Sequence, residues 1–596
     1  MRELTPALIG STLTPIVVFA PLVFLGGITA VFFRALALTL VTALLASLLL
    51  AIFFTPVLAA IFLPRNTRPP AASLHEAEQA GEGRYMRRLT ALYERALHWS
   101  LAHTGAVILA AVLIAGAAVP VYLALGKGFI PEMDEGAFVL DYILPPGAAL
   151  KDSDRILLHI EEYLRETPEV ESYSRRTGAR LALAIAEPNT GDFLVKLKSK
   201  RSRSVDEVTD ELREKIKRAE PAIDIEFAHI LEDLIGDLVS SPEPIEIKLY
   251  HPDDATFKEL AKAVTEWLPK VKGVVDINNR TTVIGPAVNY RVDPEKAERA
   301  GFTVQNIADI QAAMLDGQVA SNMIRSNRLV GIRVRYPLAY RSSFEELESL
   351  QLTSPSGNTM PLSSLVTKEV EEGQTEIHRD NLRNMTSVTA RLSGRDLGSA
   401  MDEIRSRLPK ELAIPPGTDI EYGGLYQIQR ESFLGLTQVL LMSILLIFII
   451  LVFEFRSFSH PLAILIATIL CGFGALLALL ITNSTLNISS FMGAIMVVGI
   501  VHKNGILMLD SEQYFRDRGL GLREAIFEAG RRRLRPILMT ALATIFGMLP
   551  LALGVGSGAQ LLQPLAIAVI GGVAVSMILS LLITPVLFFK FREKGL

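Results

Sequence analysis

A membrane α-helical bundle joined to one large α+β module is the fold class that this sequence predicts. Three observations carry it: apolar runs long enough to span a bilayer, their clustering toward the two ends of the chain, and a polar stretch between them in which strand-like and helix-like patterns alternate.

The apolar runs lie near 7–30, 35–62, 105–126, 433–455, 460–482, 489–510, 536–555 and 562–589. Each can satisfy its own backbone hydrogen bonds as a helix where no water is available. Composition agrees with a chain of two characters: 50% of its 596 residues are hydrophobic, yet 20% are charged. The expected division is two spans in 1–64, a link with an amphipathic helix in 65–104, a span in 105–126, the module in 127–430 and five spans in 431–596.

Basic residues assign the sides. Arg65, Arg68, Arg84, Arg87, Arg88 and Arg95 follow the second span, and Arg516, Arg518, Arg523, Arg531, Arg532, Arg533 and Arg535 fill the link at 511–535. Short loops rich in arginine stay cytoplasmic, so residues 127–430 are expected on the periplasmic face of a bacterial inner membrane. Within 83–103, Tyr85, Leu89, Leu92, Tyr93, Leu97 and Trp99 stand among arginines, a pattern for a helix lying along the inner surface against lipid.

Residues 127–430 read as repeated strand and helix units. Phe138–Ile143, Phe193–Leu197, Ile245–Tyr250, Val288–Val292 and Val388–Leu392 alternate as strands, while Asp152–Arg165, Val205–Arg218, Ala255–Leu268 and Leu397–Leu408 carry apolar residues at helical spacing. TPEVESYS at 167–174 parallels VKGVVDIN at 271–278, each a helix end followed by a strand. Small α+β sandwiches with helices on one face of an antiparallel sheet fit this order.

Several function classes find no footing. The net charge of −4, from 59 basic and 63 acidic side chains, predicts no nucleic-acid partner. Cys471 is the only cysteine, so internal disulfides and cysteine-rich metal sites are excluded. His159, His229, His251 and His378 lack metal-ligand spacing and read as structural or surface residues, as do the scattered methionines. No phosphate loop or nucleophile elbow occurs, so neither an enzyme nor a cofactor is expected.

Chemistry concentrates in GIVHKNGILMLD (499–510), which sets His502, Lys503 and Asn504 inside a span. A charge there is expensive and commonly marks an ion or proton path. On the next span Arg533 and Thr540 are two turns apart on one face. No aspartate or glutamate lies centrally in any of the runs, since Glu431, Glu454 and Asp510 sit at their ends. The lysine therefore lacks an evident counter-charge.

Residues 6–58 and 536–587 share landmarks in one order: a proline, an apolar run, a glycine bend, and a second run ending Thr-Pro-Val-Leu. Duplication explains this better than chance. Transporters often contain such repeats. The later copy follows three spans and a large module; the earlier one begins at residue 6.

These stretches, together with RRRLRPILMTALATIFGMLPLALGVGSGAQ and GFIPEMDEGAFVLDYILPPGA, resemble the resistance-nodulation-division efflux permeases. The resemblance implies ferredoxin-like porter subdomains within 127–430 and a docking region near 294–307. It implies a proton relay in which Lys503 meets two aspartates of another span, with Thr540, Arg533 and Asn504 beside it. It also implies that the chain starts at the family's fifth span, so that the aspartates are missing from it and either a companion polypeptide carries them or the chain is a truncated product. A homotrimer, a periplasmic adaptor and an outer-membrane channel are the implied partners. The lysine motif is similar to that of multidrug members, so drugs or other small toxic compounds are the expected cargo. Heavy-metal cation export, suggested by the DEG and PPG surroundings at 134–147, and a truncated, non-transporting scaffold are the alternatives.

Overall fold

The computed structural model describes residues 5–62, 84–131, 133–178, 189–239, 243–280, 287–371, 378–556 and 558–594. The predicted link at 65–83, with Arg65 and Arg68, lies outside the described residues.

Among them, seven helices are long and apolar enough to cross a membrane. The first run is shorter than expected. Helix α1 (Thr5–Phe19) gives way at Ala20–Phe24 to a tighter turn containing Pro21, and its apolar stretch covers only Thr12–Phe24. Helix α2 (Gly27–Leu49) continues through a wider turn into α3 (Thr55–Phe62). Helix α4 (Arg84–Ala102) is two-faced, as its pattern required: Tyr93, Leu97 and Leu101 are buried, while Tyr85, Leu92 and Trp99 are exposed. Tyr93 anchors it by donating its hydroxyl to the Leu581 carbonyl at 3.2 Å. Helix α5 (Thr104–Ala124) then leads to the module.

The module opens with a complete βαββαβ unit: β1 (Ala137–Ile143), α6 (Leu150–Glu166), β2 (Val170–Thr177), β3 (Thr190–Leu197), α7 (Val205–Ala219) and β4 (Asp224–Ala228). Its antiparallel sheet has the order β2-β3-β1-β4, the ferredoxin-like arrangement. Alternation places Phe138, Leu140 and Tyr142 of β1 beside Phe193 and Val195 of β3 on one face. Leu157, Ile160 and Leu164 of α6 and Val208, Leu212 and Ile216 of α7, at helical spacing, cover that face. Helix α7 starts in a capping box, with Ser204 Oγ accepting from Glu207 N at 3.2 Å and the Glu207 carboxylate accepting from Ser204 N at 3.0 Å. Ser204→Ala is expected to lower the stability of this unit by about 1 kcal/mol, read from the denaturant midpoint.

A short helix α8 (Ile230–Val239) precedes a second unit of the same kind: β5 (Ile245–Tyr250), α9 (Asp254–Trp267), β6 (Val274–Asn279), then, after a long insertion, β14 (Arg383–Leu392), α13 (Leu397–Glu411) and β15 (Asp419–Gly423). Here β6 pairs with β14, β14 with β5, and β5 with β15, which repeats the first sheet's order. The insertion has its own core around Phe302, Ile307, Met314 and Leu352. It comprises β7 (Ala287–Val292), α10 (Pro294–Arg299), α11 (Val304–Leu315), the hairpin β8 (Gln318–Arg325) and β9 (Arg328–Val334), α12 (Phe344–Ser349), β10 (Gln351–Thr353), β11 (Thr359–Pro361) and β12 (Val366–Glu371). Strand β13 (His378–Asp380) returns the chain to the second sheet beside β14.

Helix α14 (Leu425–Phe455) leaves β15 without a spacer. Gly424 makes this possible at φ 74°, where a Cβ would come within 2.7 Å of the Glu243 and Pro244 carbonyl oxygens. Then follow α15 (Ser459–Ile481), α16 (Ile488–Arg516), α17 (Leu522–Ala552), α18 (Ala559–Ile578) and α19 (Thr584–Glu593). Helix α18 packs on α15, α16 and α17. Small residues let the backbones meet: Gly474 of α15 faces Gly571, and Gly493 of α16 faces Leu565. Helix α1 lies along α16 and α14, where Ser443 Oγ donates to the Val18 carbonyl at 2.9 Å.

Candidate functional site

Two places in this architecture gather chemistry. The first is the predicted polar cluster of the bundle. His502 is buried, with Nδ1 at 2.7 Å from the Val498 carbonyl of its own helix. Lys503 is exposed on α16, Asn504 is half-buried beside it, and among the described residues Lys503 makes no ion pair. Gly499, one turn earlier, is filled by Val18 and Phe19 of α1. Arg533 on α17 donates to Ser511 Oγ at 3.1 Å and lies 3.8 Å from the Asp510 carboxylate, tying the ends of α16 and α17 together. The Thr540 hydroxyl donates to the Ile537 carbonyl of its own helix at 3.1 Å.

The structure therefore joins Arg533 to Asp510 and gives no bond between Thr540 and Lys503. It does set them at one level. Helices α16 and α17 run antiparallel, and Lys503 and Thr540 each stand seven residues, about 10 Å, from the Asp510–Arg533 contact in the same direction.

The second place escaped the sequence reading. Between the two ferredoxin-like units, where they meet the membrane helices, lies a cleft of about 480 Å³. Its walls carry Asp134, Glu135, Asp206, Glu207, Asp210, Glu232 and Asp396 against Arg213, Arg391 and Arg395. Helix α7 supplies Asp206, Asp210 and Arg213 from one stripe, because spacings of four and three residues return to the same face. The Glu135 carboxylate accepts from Leu231 N at 3.2 Å, in the first turn of α8, where the helix dipole favours a negative charge. Asp396 accepts from Lys127 N and Ser399 N, each at 2.9 Å. Asp210 accepts from Ser393 Oγ at 2.9 Å and pairs with Arg213.

His229 stands 3.1 Å from Asp206. That bond holds the imidazole above its ordinary pKa and the Asp206 carboxyl below its own. In sequence His229 resembles any structural or surface histidine, and no spacing marks it, since its partner lies 23 residues earlier. The triplet DEG at 134–136 was the one visible signal of this cleft.

An apolar pocket of about 270 Å³ adjoins the cleft and shares Phe129, Ile130 and Leu231 with it. Phe33 and Leu36 of α2, Ile488 of α16 and Leu561 and Leu562 of α18 complete its wall. No group of three His, Cys, Asp or Glu side chains among the described residues is arranged to hold a metal ion.

Long apolar helices, a duplicated ferredoxin-like module interrupted by an insertion, and a polar cluster inside one helix are together the marks of a membrane protein of the transporter class. The chain belongs to the AcrB/AcrD/AcrF family, the resistance-nodulation-division permeases, which it matches over residues 1–592. It is 29% identical to the cobalt-zinc-cadmium resistance protein CzcA of Cupriavidus metallidurans over 100% of this chain and 56% of that protein. It is 27% identical to the multidrug resistance protein MdtC of Cronobacter sakazakii, over 99% of this chain and 56% of that one. Among solved structures, a heavy metal efflux pump superposes with a TM-score of 0.84 at 26% identity, covering 99% of this chain and 58% of that one. The chain thus spans little more than half the length of these relatives.

Proposed function

We propose that this chain is part of a proton-driven efflux permease of a bacterial inner membrane, with residues 127–430 in the periplasm, and that its cargo is heavy-metal cations. The acid-walled cleft carries this reading: carboxylates outnumber guanidinium groups there, and such an excess concentrates cations. The resistance proteins for cobalt, zinc, cadmium and nickel among its relatives support it over the drug cargo that the lysine motif suggested.

Lys503, Asn504, Thr540 and Arg533 form the basic side of the relay. Carboxylates from outside residues 1–596, on a further segment or a companion polypeptide, would complete it. A trimer, a periplasmic adaptor and an outer-membrane channel follow from the family. Proton entry would change the charge at Lys503 and bias the helices between two arrangements.

The test is Zn²⁺ binding to the purified chain. Binding is expected, and Asp206→Asn with Asp210→Asn should weaken it at least about tenfold, as loss of two negative charges from the cleft wall would. A proton on His229 competes with the cation for Asp206. Because His229 titrates above its ordinary value, its bond to Asp206 contributes stability below the unfolded pKa and is lost as pH rises through the raised one. Zn²⁺ affinity should therefore climb through that window, by up to about tenfold per pH unit, and flatten in His229→Gln.

The apolar pocket favours a second reading, amphiphilic cargo entering from the bilayer through Phe129, Ile130 and Leu231. A chain that binds a lipophilic dye and not Zn²⁺ would establish that reading instead.

A further inference from the structure

The stretch 511–535 sets seven arginines against four carboxylates, and the fold pairs only some of them. Arg531 meets Glu94 at 3.3 Å, Arg533 reaches Asp510 at 3.8 Å, and Arg516 reaches Glu512 at 3.8 Å. Arg518, Arg532 and Arg535 are exposed, and among the described residues none of the three makes an ion pair. Two of these charges share one aromatic ring. The Arg518 guanidinium lies 4.0 Å and that of Arg532 5.4 Å from the centre of the Tyr514 ring, and Arg532 also lies 6.0 Å from that of Phe515. Like charges separate in water unless something holds them. Here the π-system attracts both cations and ties the loop after α16 to α17. A guanidinium pair held together without a carboxylate attracts anions, and its planar donors suit the oxygens of a phosphate.

Helix α17 continues the site with an apolar track. Arg532, Arg535, Met539, Leu542 and Phe546 recur at spacings of three and four, which is one stripe along the helix. Met539, Leu542 and Phe546 are all exposed. Phe546 stands eleven residues beyond Arg535. That is about 16 Å along the axis, or about half the thickness of a hydrocarbon core. A soluble anion would make no use of the track, and a zwitterionic lipid would bring its own cation to the arginines.

We infer that this stripe binds an anionic phospholipid of the adjoining leaflet, its phosphate on Arg518, Arg532 and Arg535 and one acyl chain along Met539, Leu542 and Phe546. A charged foot below an apolar track one leaflet long matches both parts of such a molecule. None of these residues lines the cleft, so the site stands whatever the cargo is.

The experiment places a fluorophore on Leu542→Cys in the full chain carrying Cys471→Ala, reconstituted in phosphatidylcholine vesicles. Quenching by a minor share of phosphatidylglycerol brominated on its acyl chains is compared with quenching by the same share of brominated phosphatidylcholine. An arginine at an anionic membrane surface shifts such a partition about fivefold, so the parent should prefer phosphatidylglycerol by at least about fivefold. Arg518→Gln with Arg532→Gln should remove most of the preference. Tyr514→Phe, which keeps the π-system, should retain it, and Tyr514→Leu, which keeps every charge, should lose part of it.

A reference fluorophore on Ile449→Cys, at an exposed position of α14, should show no preference. Inorganic phosphate added at constant ionic strength should leave the ratio at Leu542→Cys unchanged. Equal quenching by the two lipids in the parent overturns the site, as does an unchanged ratio in the arginine double variant or the same ratio at Ile449→Cys. A ratio abolished by inorganic phosphate assigns the arginines to a soluble anion and overturns it too. If the double variant does not fold, the two Tyr514 variants decide, and a leucine variant with the parent's ratio overturns the site.

Discussion

Lys503→Ala is expected to reduce export to background in cells that also supply the acidic side of the relay, with membrane protein levels unchanged. The exposed position of Lys503 on α16 is the reason to expect normal folding, because among the described residues none loses an ion pair with it. Function should suffer all the same. In the proposed relay, losing Lys503 would leave its carboxylate partner enclosed and uncompensated, at a cost of about 3–5 kcal/mol. That is more than two orders of magnitude in the population of the competent state. Lys503→Arg keeps the charge but not the compact ammonium, and should retain a fraction of the rate. Intracellular zinc retained after a metal load measures the effect. Normal clearance by Lys503→Ala would remove this residue from the relay.

Gly571→Val should have the largest effect on stability. A Cβ at Gly571 would lie 2.3 Å from the Gly474 carbonyl oxygen and 2.4 Å from Ala478 Cβ, and one at Gly474 would lie 2.5 Å from the Gly571 carbonyl oxygen. Backbone atoms are the obstacle on both sides, so no side-chain rotation relieves the clash. Overpacking usually costs about 1–3 kcal/mol, and a contact between two backbones belongs at or above the top of that range. Because α18 touches α15, α16 and α17, separating one pair disturbs the whole bundle. Gly472→Ala, where nothing lies within 4 Å, is the control. Size-exclusion profiles after graded heating should show early loss of the valine variant and an unchanged control.

The predicted strands and helices of 127–430 fall within or close to the observed ones because each has a single buried face. Phe138, Leu140 and Tyr142 announce β1 by alternation, and Leu157, Ile160 and Leu164 announce α6 by helical spacing. The likeness of 167–174 to 271–278 also had a cause. Those segments enter β2 and β6, which occupy the same place in the two units.

The pairing of β6 with β14 across the insertion left no local mark, since a strand pattern does not name its neighbour. The cleft was hidden for a similar reason. Asp134, Asp206, His229 and Arg391 come from four separated segments, and each alone resembles a solvated surface. Inside the membrane the reverse holds. A lysine in an apolar run is conspicuous by itself, so Lys503 was visible although no described residue pairs with it.

The direct splice of β15 into α14 makes that helix a lever. A helix of 31 residues is about 46 Å long, and a tilt of about 5° moves one end by about 4 Å relative to the other. A flexible tether would absorb such a displacement. Here Leu425 N and Tyr426 N are hydrogen-bonded to the Glu243 and Pro244 carbonyls at 3.1 and 3.3 Å, so the first turn of the helix is clamped to the segment that leads directly into β5, the strand next to β15. Movement of α14 in the bilayer is thereby delivered to the sheet of the second unit as torque.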